Sequence, residues 1–343
     1  MKFILFLALG VFALAGCGQN NGGGTSGPTY SNYGDDPGEG SGQSISSLFQ
    51  GASVSCGSAD CSPSVAMLLY KTDSDDIFAC TAFVVSDGVM ATNDHCVRSL
   101  QIGDDCSQAI EVNFPSVGNF SSEKHLCGKL LWRSADSSNE DNKINLDVAY
   151  FSLTDRTSRP AFSINKDGLQ DGQVITIYKI DPPTGFGDLS GTLVTDKCRV
   201  TQGTFMFPYL DKPDSADFVL VGDEKLGDQS CEIISGNSGS PMVDENGALK
   251  GIIHEGTYSS THSLFSSLAF SVDSDSMENF KDFAVATGSA CMPNPKNPAT
   301  PIPSSCDIAK DPALQKKLGD EDRSQDKERI KAALTKAAQD WGA

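Results

Sequence analysis

The segment GNSGSP at residues 236–241 is the most informative stretch of this amino-acid sequence. Small residues on both sides of Ser238 allow a tight turn that projects the serine hydroxyl, and the flanking glycines let backbone N–H groups converge on one point. Converging N–H groups can form an oxyanion hole, because they stabilise the negative charge that develops on a carbonyl oxygen during acyl transfer. Such a turn by itself is more often an ordinary loop than a functional site, so further motifs are needed to interpret it.

A histidine follows a largely apolar run in the segment ATNDHC at residues 91–96. Neutral imidazole can accept a serine proton at physiological pH, which makes His95 a candidate general base. Cys96 can form a disulfide with Cys80, which would hold this turn against the preceding strand. The alternative is that His95 is a structural histidine.

Asp147 lies near the start of a largely apolar segment, NLDVAYFSL at residues 145–153. A carboxylate that enters an apolar strand is costly to desolvate unless it is paired. If Asp147 accepts a hydrogen bond from a histidine ring, it holds the tautomer whose other nitrogen can take a proton. The alternative is an exposed aspartate at the start of a strand.

Short β-rich runs separated by turn residues extend from residue 64 to about residue 270. The runs are 64–71, 78–86, 89–92, 109–114, 125–132, 147–153, 174–180, 218–221 and 249–254. Many short strands at this spacing predict an all-β sandwich or barrel, and the segment is long enough for two six-stranded barrels. Near residues 273–286 the apolar period changes to that of a helix, which predicts a C-terminal helix of the domain.

The N-terminus has the features of an export signal. Lys2 precedes an apolar run over residues 3–15, which is too short to span a bilayer comfortably. The run ends in LAGC, which resembles the lipobox of bacterial lipoproteins and predicts lipidation at Cys17; the alternative is an ordinary signal peptide with an incidental cysteine. We therefore expect an exported protein held on the cell membrane by a lipid, with 1–17 as signal peptide and 18–47 as flexible Gly/Ser tether. Gly18, in place of aspartate, favours the outer membrane.

The composition of the chain bears on its partners, its compartment and its ability to bind a metal. The formal net charge of −19 disfavours nucleic acid as a partner. Ten cysteines remain after Cys17, an even number that predicts disulfides in an oxidising compartment. The chain has no CxxC pair and only four histidines, so we expect no metal site. Residues 291–343 are interpreted as a Pro-rich linker followed by a charged helical tail.

The three motifs around His95, Asp147 and Ser238 together resemble those of the chymotrypsin-like (trypsin-like) serine peptidases, in which the triad also runs in the order His, Asp, Ser. The likeness is greatest to the bacterial glutamyl-endopeptidase-like branch, whose TNxH motif is matched at residues 92–95 and whose GNSGSP motif is matched in full. The resemblance covers about residues 50–288. It implies a serine protease domain over 48–290, with a first antiparallel barrel over about 48–168 and a second over about 169–290.

The resemblance also implies the roles of the residues. Ser238 would be the nucleophile, His95 the general base and Asp147 the residue that orients it. The backbone N–H groups of Gly236 and Ser238 would form the oxyanion hole. The substrates would be polypeptides, and no cofactor or metal would be needed.

The residues at the positions that set specificity and activation differ from those of trypsin, a well-known member of this family. Glu232 lies six residues before Ser238, where trypsin has the acidic base of its pocket, but acidic residues occur there in glutamyl endopeptidases too. His254 and Gly256 lie in the expected substrate-pairing strand; His254 would favour Glu or Asp before the cut bond, or else is a structural strand residue. Trypsin has an aspartate before its nucleophile, which pairs with a new N-terminus on activation. Asn237 stands there, so we do not expect activation through that ion pair.

One disulfide pairing and the function itself have alternatives that the sequence leaves open. Cys198 and Cys231 are expected to form a disulfide that braces the loop ahead of Ser238, although other pairings are compatible with the spacing. The main alternative function is a catalytically inactive surface binding protein on a protease fold, because a fold alone does not establish activity. An ester-cleaving enzyme and a disulfide-rich adhesin with chance motifs are lesser alternatives.

Overall fold

The computed structural model describes residues 45–72, 76–134, 146–167, 169–170, 172–182, 188–201, 217–227, 230–257 and 283–298. The predicted lipidation site Cys17, the tether as far as residue 44 and the tail after residue 298 lie outside the described residues. Within the described part of the chain, no helix is long and apolar enough to cross a membrane.

The described residues form thirteen strands, one helical turn and two 3₁₀ turns. The strands are β1 (Ser53–Cys56), β2 (Val65–Lys71), β3 (Ile77–Ser86), β4 (Val89–Thr92), β5 (Ile110–Phe114), β6 (Glu123–Arg133), β7 (Ala149–Leu153), β8 (Val174–Asp181), β9 (Ser190–Thr201), β10 (Asp217–Val221), β11 (Pro241–Val243), β12 (Leu249–Thr257) and β13 (Phe283–Gly288). The helical turn α1 spans Ile45–Leu48, and the 3₁₀ turns span His95–Val97 and Glu224–Leu226. The expected all-β class is confirmed.

Strands β2 to β7 close into the first barrel, in the order β2-β3-β4-β7-β6-β5. All neighbours in this barrel are antiparallel. Its interior is filled by one apolar cluster that includes Leu68, Val84, Val112 and Phe151. These side chains come from alternating positions of apolar and β-branched runs, which suit a pleated and buried surface. Closure leaves no free strand edge in this barrel.

Strands β8 to β13 form the second barrel. Each of the six pairs with two others, in the ring order β8-β9-β10-β13-β12-β11. This order repeats that of the first barrel, strand for strand. Strand β1 extends the sheet by pairing in parallel with the start of β9, Ser53 beside Ser190. The predicted double barrel is therefore confirmed, with one strand added.

One apolar cluster joins the two barrels. Met67, Phe83 and Tyr150 of the first barrel pack in it with Ile180 and Leu249 of the second. The same cluster contains Ile45, the first residue of α1, and Phe49, which directly follows it; both are buried. The predicted tether is therefore too long at its C-terminal end, since residues 45–47 already belong to this turn. Because the barrels share a core, their relative orientation is fixed by packing.

The predicted C-terminal helix over residues 273–286 is wrong at its end. Residues 283–286 belong to strand β13, which pairs with β10 on one side and β12 on the other. Residues 273–282 lie outside the described part of the chain. The apolar spacing in this short segment fits a helix or a strand, and the two neighbouring strands decide between them, because each supplies backbone hydrogen bonds that a helix would lose.

Four disulfides have both of their cysteines among the described residues. Cys80 is bonded to Cys96 and Cys198 to Cys231, which confirms both predicted pairs. Cys56–Cys61 and Cys106–Cys127 are the other two. This number of disulfides indicates an oxidising compartment and hence an exported protein.

Candidate active site

His95 and Asp147 are in direct contact. The ring nitrogen Nδ1 of His95 lies 2.7 Å from Oδ2 of Asp147, and the backbone N–H of His95 donates to Oδ1 over 2.9 Å. The contact follows from the sheet: β4 ends just before His95, β7 begins just after Asp147, and the register pairs Thr92 with Ala149. Two residues that are 52 positions apart in the sequence are thus brought together by strand pairing.

The backbone at Asp147 has an unusual conformation. Its φ is +47°, in the left-handed region that a residue with a side chain adopts only at a cost. The side-chain amide of Asn93 donates to the carbonyl oxygen of Asp147 over 2.7 Å and helps to hold this conformation. Asn93 is itself fully buried. Asn93 of the TNxH motif therefore has a structural role that the motif alone does not explain.

The pKa of the Asp147 carboxyl lies below its ordinary value. Burial by itself raises this pKa, but the charge of His95 and the hydrogen bonds from His95 outweigh it, and the charge of His254 adds to the effect. Asp147 is therefore an anion at neutral pH. An anion at this place accepts the Nδ1 proton of His95 and leaves Nε2 as the nitrogen that can take a proton from a nucleophile.

The turn that carries Ser238 is docked onto strand β3. The backbone N–H of Thr81 donates to the carbonyl of Ser238 over 2.8 Å, and the hydroxyl of Thr81 donates to the carbonyl of Gly236 over 3.3 Å. Residue 80, next to Thr81, is joined to residue 96, next to His95, by a disulfide. The Ser238 turn and the His95 turn are thus fastened to the same short stretch of β3.

The glycines of this turn meet different requirements. Gly236 and Gly239 have φ values of +98° and +88°, which disfavour any residue with a side chain. A Cβ atom on Gly239 would also lie 2.0 Å from the carbonyl oxygen of Thr81, so the close approach of the turn to β3 requires glycine there. The turn is held from the other side by β12, since Gly239 donates to the carbonyl of Ile253 over 2.9 Å.

Backbone N–H groups of the turn fall into two sets. Those of Asn237, Gly239 and Ser240 donate to protein carbonyls. For the N–H groups of Gly236 and Ser238, no acceptor is present among the residues that the structure describes. These two are the groups predicted to form the oxyanion hole.

The side chain of Asn237 is buried and fully engaged. Its amide nitrogen donates to the carbonyl of Ile180 over 2.8 Å and to Oδ1 of Asp181 over 3.1 Å. Its oxygen accepts from the backbone N–H of Ile234 over 2.8 Å. The residue before Ser238 is therefore a neutral side chain held by hydrogen bonds from within the second barrel.

The predicted specificity residues lie on two segments near Ser238. The backbone of Glu232 is held by a buried ion pair: its N–H donates to Asp196 Oδ2 over 3.1 Å, and its carbonyl accepts from Lys179, which pairs with Asp196 at 3.3 Å. His254 is half-buried at an irregularity in β12, between Ile253 and Glu255. Gly256 pairs with Ala284 of β13 in the same sheet.

A group of potential metal ligands at the site has another explanation. Donor atoms of Cys80, His95 and Cys96 lie within 4.8 Å of one another. Both sulfurs belong to one disulfide, however, and a disulfide sulfur is not the thiolate that binds a metal. The proximity reflects the attachment of the His95 turn to β3.

Three buried polar residues beside His95 and Asp147 were not predicted as part of the site: Asp94, Arg133 and Ser134. Arg133 and Ser134 stand at the end of a predicted strand, and Asp94 occupies the variable position of the TNxH motif. The only signal in the sequence is the presence of charged residues next to apolar strands, which by itself does not indicate which carboxylate and which guanidinium meet.

A family model and several solved structures match parts of this chain. Residues 80–252, just over half of the chain, match the family model of the trypsin-like peptidase domain. Among solved structures, the active form of the Rv3671c protease of M. tuberculosis is 14% identical, with a TM-score of 0.41, 69% of this chain covered and 85% of that one. A thermostable serine protease from an extremophilic microorganism is 16% identical, with a TM-score of 0.40, 70% of this chain covered and 99% of that one.

A scabies mite inactivated protease paralogue is 13% identical, with a TM-score of 0.44, 66% of this chain covered and 88% of that one. No curated protein matches the chain. At such identities and scores, the structural likenesses carry no information on activity.

Proposed function

Since this chain belongs to the trypsin-like peptidase family, we propose that it is a serine endopeptidase that hydrolyses polypeptides through Ser238, His95 and Asp147. The observation that carries the proposal is the pairing of His95 with an anionic Asp147, through the ring nitrogen and the backbone N–H of the histidine. A histidine held in this way keeps the tautomer whose second ring nitrogen can act as a general base.

The reaction proceeds through an acyl-enzyme. His95 takes the proton of the Ser238 hydroxyl while the serine oxygen attacks the peptide carbonyl, and the N–H groups of Gly236 and Ser238 stabilise the oxyanion. His95 then gives the proton to the leaving amine as the C–N bond breaks. Water, deprotonated by His95, attacks the acyl-enzyme and releases the second product together with free Ser238.

The substrate preference is proposed from the motifs. The TNxH and GNSGSP motifs support the glutamyl-endopeptidase-like branch, and His254 is a residue that could favour an acidic side chain before the cut bond. Glu232, if it faces the pocket, would instead favour Arg or Lys. Cleavage of a peptide library, read by mass spectrometry, decides between these two, since each predicts the opposite charge at the residue before the cut.

We further propose that the domain is attached to a membrane by lipidated Cys17. The support is the apolar run that ends in LAGC and the Gly/Ser-rich residues that follow it. Activation needs no new N-terminus in this proposal, because the position before Ser238 is occupied by a neutral and fully engaged Asn237.

A fluorophosphonate, which reacts with activated serines, tests the peptidase proposal. We expect the purified protein to be labelled at Ser238 and to cleave casein. Ser238→Ala and His95→Ala should abolish both, while Ser122→Ala, at an exposed serine far along the sequence, should change neither. A folded wild-type protein that is not labelled would contradict the proposal and favour a binding protein on a protease fold.

A further inference from the structure

The residues next to His95 and Asp147 in the sequence are connected by buried polar contacts. Asp94 precedes His95, and Val148 follows Asp147. The two segments contact each other through the catalytic pair itself and, separately, through residues 133 and 134 at the end of β6. This second connection is made by Asp94, Arg133 and Ser134, which we call the bridge.

Asp94 is at the centre of the bridge. Its Oδ1 lies 2.5 Å from Nε of Arg133, and its Oδ2 accepts from the hydroxyl of Ser134 over 3.1 Å. Asp94, Arg133 and Ser134 are only 6%, 7% and 1% exposed. Because water is excluded, the electrostatic attraction is screened little and the geometry is strongly constrained.

Ser134 connects Asp94 to the Asp147 segment. Its hydroxyl donates to Asp94 and accepts from the backbone N–H of Val148 over 3.4 Å. Its own backbone N–H donates to the carbonyl of Val148 over 3.0 Å. One hydroxyl group therefore links the residue before His95 to the residue after Asp147.

Arg133 fixes the far side of the His95 turn. Its Nη1 donates to the carbonyl of Arg98 over 2.7 Å and to that of Leu100 over 2.6 Å. These carbonyls follow the 3₁₀ turn at His95–Val97, whereas Asp94 precedes it. The guanidinium thus holds the turn at both ends.

We propose that Asp94, Arg133 and Ser134 are positioning residues that set the distance and angle between His95 and Asp147. The inference rests on the proposed function, because it concerns the same catalytic pair. None of the three acts on the substrate. A displacement of about 1 Å in a catalytic group can reduce turnover about 100-fold, so a rigid connection beside the pair has a direct effect on kcat.

The strand β6 supplies a matched control. Arg133 lies at one end of it, and Glu123, which pairs with buried Arg159 at 2.9 Å, lies at the other. The Arg133–Asp94 and Arg159–Glu123 pairs are both arginine–carboxylate pairs of the first barrel, but only the first adjoins His95. Glu123→Gln therefore reproduces the loss of a carboxylate from an ion pair without disturbing the bridge.

The experiment compares Asp94→Asn, Ser134→Ala and Glu123→Gln in the full-length protein. For the two bridge variants we expect kcat to fall about 10- to 100-fold with KM within about twofold, since the substrate contacts are intact. The far-downfield proton NMR resonance of the His95–Asp147 hydrogen bond should shift or broaden in both. Glu123→Gln should keep the wild-type kcat and resonance. If Asp94→Asn does not fold, Ser134→Ala still tests the inference.

The outcomes separate this inference from the peptidase proposal. A wild-type protein without hydrolysis or labelling contradicts the peptidase proposal, while the NMR resonance still reports whether the bridge controls the pair. An active wild type with unchanged kcat and resonance in folded bridge variants overturns the inference. So does an equal loss in Glu123→Gln, because the effect would then reflect the loss of any ion pair in the barrel.

Discussion

At the scale of single residues, the site depends on side chains whose environment is set by their neighbours. Asp147 combines a left-handed backbone with a carboxylate that is both largely buried and paired. Gly239 combines a left-handed backbone with a close approach to Thr81. In both cases the residue type follows from the local geometry, and a substitution has a consequence whose sign can be worked out.

Asp147→Asn should reduce kcat about 10,000-fold, because a neutral amide favours the wrong tautomer of the histidine. It should also change the pH dependence of stability. The pKa of Asp147 is lowered on folding, so the carboxylate stabilises the folded protein fully above its ordinary value of 3.8, and this contribution is lost as the pH falls through the lowered pKa. The difference in unfolding free energy between wild type and variant should therefore shrink on acidification. Urea titrations over about pH 2–6 measure it; a difference that grows towards low pH would contradict the assignment.

Gly239→Ala should be far more damaging than Gly247→Ala. Both glycines have positive φ, +88° and +74°, so alanine costs about 1–2 kcal/mol of backbone strain at either. At Gly247 nothing lies within 4 Å of the added Cβ, whereas at Gly239 the carbonyl of Thr81 is in the way. We expect only Gly239→Ala to undock the Ser238 turn, seen as a further loss of unfolding free energy and a kcat at least about 100-fold lower. Equal effects of the two substitutions would show that the docking on Thr81 is unimportant.

At the scale of elements, strand pairing and one disulfide connect the segments that carry the three proposed catalytic residues. The pairing of β4 with β7 aligns the His95 turn with Asp147. Strand β3 then carries both the disulfide to the His95 turn and the hydrogen bonds to the Ser238 turn. The arrangement does not require a long loop, because each proposed catalytic residue lies within a few positions of a strand end.

Removal of the Cys80–Cys96 disulfide should affect stability and activity together. The bond closes a loop of 16 residues, for which the loss of chain entropy in the unfolded state predicts about 3 kcal/mol. The double variant Cys80→Ala/Cys96→Ala should lose about that much and also have a lower kcat while still folded, since the His95 turn is released from β3. Cys56→Ala/Cys61→Ala is the control: it opens a loop of 5 residues away from the site and should lower stability with kcat unchanged. Urea unfolding and steady-state kinetics on the same samples measure both quantities.

At the scale of the whole molecule, the site lies where two barrels of the same strand order meet. His95 and Asp147 come from the first barrel and Ser238 from the second. The barrels are joined by a shared core and by polar contacts beside the site, such as the hydrogen bond from the Thr287 hydroxyl to the carbonyl of Leu146 over 2.6 Å. The relative placement of these three residues therefore depends on how the barrels pack, and not on either barrel alone.

The candidate site residues and most of the strands could be predicted from the sequence, because the signals for them are local. Ser238, His95 and Asp147 each stand in a short motif, and most strands are apolar runs with clear ends. Strand β9 was missed because Asp196, Lys197 and Arg199 interrupt its apolar pattern. The end of the predicted helix was wrong because the apolar spacing over residues 283–286 suits either structure.

From the order of amino acids alone follow the all-β class, the export-type cysteines and the three residue types of the proposed triad, since each is written in neighbouring positions. Folding adds what depends on distant ones: the β13 strand between β10 and β12, the docking of Gly239 on Thr81, and the bridge from Asp94 through Ser134 to Val148. The physical reason is that hydrogen bonds and ion pairs act over a few ångströms, and only chain topology determines which residues come within that range.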